Sequence, residues 1–126
     1  MSVRHRMRAY VEGLFERLKE RLPSEELILY SVYSPVYVQR EALPANQIKV
    51  EEFEFVDTRV DMAEEESRKR FIDKVVRESL EMEVKGFYLL CLVARTDKGY
   101  ILLWENPIVE ELRADIEEAL RRIEEG

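Results

Sequence analysis

Two neighbouring runs, Phe87-Tyr88-Leu89-Leu90-Cys91-Leu92-Val93-Ala94 and Tyr100-Ile101-Leu102-Leu103-Trp104, are apolar or aromatic at every position. With Thr96-Asp97-Lys98-Gly99 between them, they read as a β-hairpin whose turn ends in glycine. A strand with water on one face alternates apolar and polar side chains, and these two do not. Both faces of the hairpin must therefore be covered, because a large exposed apolar sheet face invites aggregation. Two arrangements satisfy that demand. Helices of the same chain cover both faces, or they cover one and a second copy or another partner covers the other. Periodicity alone does not choose between them.

Helices to do the covering are present. Val3, Met7, Tyr10, Val11, Leu14, Phe15, Leu18 and Leu22 recur at three- and four-residue spacings, which predicts a helix from about Val3 to Leu22. Ser2 is placed to cap its start, and Pro23 follows its end. Gly13 inside it suggests a close helix contact. A second stripe, Phe71, Ile72, Val75, Val76, Leu80 and Val84, predicts a helix from about Met62 to Val84. Asp61 and Glu64 have capping-box spacing at its start, and Gly86 reads as a left-handed cap at its end. Asn106-Pro107 opens a third helix with the stripe Ile108/Val109, Leu112, Ile116, Ala119/Leu120 and Ile123.

Between the first two helices, Leu27 to Tyr33 and Val36 to Arg40 read as strands broken at Ser34-Pro35. Leu43-Pro44-Ala45-Asn46 reads as a turn. Ile48 to Val56 reads as a further strand whose phase changes at Glu51-Glu52, which suggests a β-bulge. The expectation is one α+β domain spanning residues 1–126, a mostly antiparallel sheet of about five strands with three amphipathic helices in the order α-β-β-β-α-β-β-α. Its 46% apolar content suffices for one continuous core.

Charge and residue usage narrow the chemistry. The net charge of −7 argues against broad nucleic-acid binding, which needs a positive footprint. Residues 1–22 carry six cations and three acids, whereas residues 105–126 carry eight acids and three cations. Such runs are ordinarily solvated helix faces, and the basic one is also a candidate contact surface. The apolar run of the hairpin is far shorter than the ~20 residues of a membrane helix. No signal-peptide core follows the N-terminal arginines, and Cys91 stands alone, so a soluble, cytoplasmic protein without disulfides is expected. Scarce Asn and Gln beside many Glu and Arg suggest a thermophilic source, which the melting temperature would test.

Catalytic residue types are sparse. His5 is the single histidine and sits near the start of the first helix, where a surface role is expected. Cys91, mid-strand in an apolar run, reads as a small buried hydrophobe. The four glycines are isolated, so no phosphate-binding loop can be assembled, and zinc spacings are absent. Asp57, Asp61, Glu64, Glu65 and Glu66 gather at the second helix start, where acids favour the helix dipole and are also placed to meet a cation. No cofactor, catalytic set or metal set is assigned.

The α-β-β-β-α-β opening resembles the core order of restriction-endonuclease-like nucleases. The resemblance implies an acid on one strand and an acid-x-lysine on the next, holding a divalent metal. Glu52-Phe53-Glu54 stands where the second element falls, but the lysine and the preceding aspartate are missing. The order is also similar to that of small sensory and adaptor domains of the profilin-like kind, without a shared motif. Tyr30, Tyr33 and Tyr37, with Tyr88, Tyr100 and Trp104 of the hairpin, are the candidate interface residues, because amphipathic aromatics suit contact surfaces. The expected function is a non-enzymatic interaction module, self-associating as a dimer or binding a protein partner. The alternative is a divalent-metal-dependent carboxylate enzyme of nuclease-like layout.

Overall fold

The structure, a computed structural model, describes residues 3–22, 24–37, 48–104 and 107–126. Helix α1 spans Val3–Lys19, and its stripe buries Val11, Leu14, Phe15 and Leu18. Strand β1, Glu26–Ser34, lies at the centre of the sheet and is buried along most of its length. Strand β2 is Glu54–Asp61, helix α2 is Glu65–Val84, and the hairpin strands are β3, Tyr88–Thr96, and β4, Gly99–Leu103. Two helices close the chain, α3 over Pro107–Glu111 and α4 over Arg113–Glu125. The sheet order is β2-β1-β3-β4, with every neighbouring pair antiparallel.

The α+β class and the antiparallel sheet hold, while the counts change to four strands and four helices among the described residues. The expected strand over Val36 to Arg40 does not form at Val36 and Tyr37. There the Ser34 hydroxyl accepts the Val36 N–H at 3.1 Å and turns the chain at Pro35, which has no N–H to donate. Residues 38–40, the Leu43–Asn46 turn and the capping roles read for Ser2, Pro23 and Asn106 lie outside the described residues.

The phase change at Glu51-Glu52 is a 3-10 turn over Val50–Glu52, not a bulge. Ile48, Val50 and Phe53 all bury in one cluster, and no single strand face can hold spacings of two and then three. The turn eclipses Val50 and Phe53, with the Phe53 N–H donating to the Val50 carbonyl at 3.0 Å. Strand β2 then begins only at Glu54. The bulge lies elsewhere: β1 shifts register against β3 between Val32 and Tyr33, which pair with Cys91 and Leu89. Leu90 is the extra residue, so Leu90 and Cys91 both bury on the same side.

Asp61 caps a turn rather than the helix. Its carboxylate accepts the Ala63 N–H at 2.9 Å, and its own N–H donates to the Ser67 hydroxyl at 2.9 Å. Helix α2 starts after Glu64, whose side chain makes no capping bond. Its far end closes as read: Gly86 has φ +87°, and the Phe87 and Gly86 N–H groups donate to the carbonyls of Met82 and Glu83. The single C-terminal helix of the sequence reading is split at Leu112. Its N–H donates three residues back, to Val109, while its backbone stays helical.

The hairpin is covered on both sides by helices of its own chain. Leu92, Ala94 and Leu103 face α1 and α2, whereas Cys91, Val93 and Leu102 face the 3-10 turn, α3 and α4. That resolves the choice left open by its unbroken apolar pattern.

Gly13 does not mediate a close helix contact. It is exposed, and a Cβ added there meets nothing within 4 Å. Gly13→Ala is therefore expected to stabilise the fold by about 0.5–1 kcal/mol, through helix propensity and a less free unfolded chain. Urea unfolding reads this as a raised midpoint at constant slope.

Candidate functional site

A cleft of about 700 Å³ lies between residues 48–55 and the C-terminal helices. The 3-10 turn forms one wall because Val50 and Phe53 must bury beneath it, and α4 forms the other. Val50, Phe53, Phe55, Leu112 and Ala119 give an apolar floor. Ile123 continues that floor to the surface at 52% exposure. The rim is charged: Glu51, Glu111, Asp115 and Glu118 stand against Lys49 and Arg122, four acids to two cations. Arg122 is held by Glu118 at 2.8 Å, one turn back on α4.

Three of the sequence-selected aromatics bind carboxylates of the helices. Tyr33 is wholly buried, and its hydroxyl donates to Glu78 of α2 at 2.6 Å. Burial and that bond push its pKa up. Beside it the Ser79 hydroxyl is buried and has no partner within bonding geometry among the described residues. Tyr30 and Tyr100 share one acceptor, Glu124 near the end of α4, at 3.4 and 2.7 Å. Arg95 of β3 donates to the other oxygen of that carboxylate at 2.9 Å. Burial alone would raise the Glu124 pKa, but the bonds from Tyr100 and Arg95 outweigh it and hold the carboxyl below its usual value. Burial and the bond to Glu124 push Tyr100 up to about 12.

The remaining three make other contacts. Tyr37, 59% exposed, meets Tyr88 edge-on with ring centroids 5.4 Å apart. Trp104 is half-buried under the Arg113 guanidinium, 5.4 Å from its centroid. Tyr30, Tyr100 and Trp104 thus pack in one cluster, Tyr37 meets Tyr88, and Tyr33 faces α2, so the six do not form a single surface.

Other candidates resolve as follows. Cys91 is fully buried, and desolvation pushes its thiol up to about 12, so it behaves as a packing group. His5 is exposed on α1. Glu52 ends the 3-10 turn and Glu54 begins β2, both exposed, so the pair does not share a strand as the nuclease-like layout requires. Among the described residues no group of three or more His, Cys, Asp or Glu is arranged to hold a metal ion. No helix among them is long and apolar enough to cross a membrane. The cleft itself escaped sequence reading because its two walls are some sixty residues apart. The only local signal was the phase change at Glu51-Glu52.

No family model matches the sequence, and no solved structure matches it. An uncharacterized protein of Aquifex aeolicus (strain VF5) is 30% identical over 128 residues, which is 99% of this chain and 98% of its own length. The chain belongs to that protein's family. The family match runs nearly end to end in both chains, so it takes in the sheet, both helical layers and the cleft walls alike.

Proposed function

We propose that this chain is a non-enzymatic protein-interaction module whose contact surface is the cleft between residues 48–55 and α4, and that its simplest occupant is a second copy. The observation that carries this reading is the apolar floor running out to Ile123, an exposed isoleucine on the last turn of α4. The sheet itself needs no partner, since its own helices cover both faces. The acidic rim does not forbid self-association. An α4 laid antiparallel to its copy sets Arg122 of one near Glu111 and Asp115 of the other.

Native mass by light scattering across a dilution series tests the proposal. The wild type is expected to fall from dimer to monomer on dilution. Ile123→Asp is expected to be monomeric at every concentration, with the melting temperature of the dilute, monomeric wild type, since the position is exposed. A wild type that stays monomeric throughout would overturn self-association through α4.

A further inference from the structure

The chain carries seven more acids than bases, yet residues 68–77 of α2 hold five cations, Arg68, Lys69, Arg70, Lys74 and Arg77, against the one acid Asp73. Arg70, Lys74 and Arg77 follow one another at spacings of four and three, so they share a helix face. With Thr58 of β2 and Ser67 they line a groove of about 480 Å³ between α2 and the edge strand β2. It lies beside the α1–α2 layer, away from the cleft on the other side of the sheet.

The charges in this groove lack internal compensation. Asp73, its one carboxylate, is engaged by Arg8 of α1. The Lys74 ammonium donates to the Thr58 hydroxyl at 2.6 Å and to the Asp57 carbonyl at 3.2 Å, both neutral acceptors. Arg70 and Arg77 are exposed and form no ion pair or hydrogen bond among the described residues. Both hydroxyls of the groove keep donor capacity. Thr58 Oγ1 accepts from Lys74 and Ser67 Oγ accepts the Asp61 N–H, so each keeps a proton to donate. Arg59 at the groove's end is only loosely held, by Glu26 at 3.3 Å with both side chains largely in water.

The geometry points to a binding site for a small, densely charged phosphoryl anion, held by Arg70, Lys74 and Arg77 with Thr58 and Ser67 as hydroxyl donors. Three unpaired cations on one helix face match an anion of several charges better than a single carboxylate. Two planar guanidinium forks suit tetrahedral oxygens. Lys74 also guards the open edge of β2, which fixes its ammonium at the groove floor.

Calorimetric titration of the full chain at constant ionic strength tests the assignment, using inorganic tripolyphosphate, a nucleoside triphosphate and citrate. Tripolyphosphate is expected to bind one to one and to raise the melting temperature. In Arg70→Gln/Arg77→Gln the affinity is expected to fall at least tenfold while the melting temperature without ligand is unchanged. Equal affinity for the nucleoside triphosphate would assign the site to the phosphate chain alone, and tighter binding would add the nucleoside to it. Both results support the proposal. Citrate binding as tightly as tripolyphosphate, an undiminished response in the double variant, or binding confined to polymeric nucleic acid or acidic protein would each overturn it.

Discussion

Phe71→Ala is expected to destabilise the fold by about 3–5 kcal/mol, the largest single effect that the packing implies. Phe71 is 1% exposed, and its ring lies 5.2 Å from that of Phe15 at 38°. The two rings join α1 to α2 above the sheet, among Leu14, Leu18, Val60 and Val75. Removing one leaves a cavity that neither helix can close without losing its seat on β1 and β3. For a fold stabilised by ~5–15 kcal/mol in total, that is a large fraction. Urea unfolding should show a lowered midpoint at unchanged slope. A loss below about 1 kcal/mol would mean that α1 and α2 do not meet the sheet as described.

The second large effect concerns Glu124. Glu124→Ala removes the shared acceptor of Tyr100, Arg95 and Tyr30, and is expected to cost about 0.5–1.5 kcal/mol, because water screens the exposed carboxylate and guanidinium. Part of that loss is the nearly buried Tyr30 hydroxyl left without its acceptor. The pH dependence has a definite sign. Because the carboxyl titrates lower in the folded chain than unfolded, its contribution is complete above the unfolded value near 4.5. It is lost as pH falls through the lower, folded value. Glu124→Gln keeps the shape and removes the charge, so its stability should run flatter than that of the wild type below pH 4.5. Parallel stability curves for wild type and Glu124→Gln across that range would refute the assignment.

What was legible in the sequence was local. The β3–β4 hairpin and the helix stripes depend on side chains a few positions apart, and they stand nearly where the periodicity puts them. Strand β2 starts at Glu54 and runs past Val56 to Asp61, through Asp57, a residue type that strands disfavour. Yet Val56, Thr58 and Val60 alternate as an edge strand's inner face should, and Val60 is the buried one. The two faces of β1 divide the tyrosines on a countable ground: Tyr30 and Tyr33 are an odd number apart and point to opposite faces. The helical spacing of Arg70, Lys74 and Arg77 was open to view, but the overall negative charge masked it. Thr58 and Ser67 join them only through the pairing of distant segments. Nor could Glu124 be singled out, since its partner Tyr30 lies 94 positions away.

The sheet also acts as a partition for charge. Helix α1 holds five cations and two acids on one side, and residues 107–126 hold seven acids and three cations on the other. The molecule therefore carries a standing electric dipole across its thin dimension. A charged body diffusing toward it is met by torque before contact: polyanions turn the α1 side to themselves, and basic surfaces turn the α4 side. The groove on α2 is thereby presented to anions, two α4 faces must approach each other against their like charge, and added salt weakens both effects together.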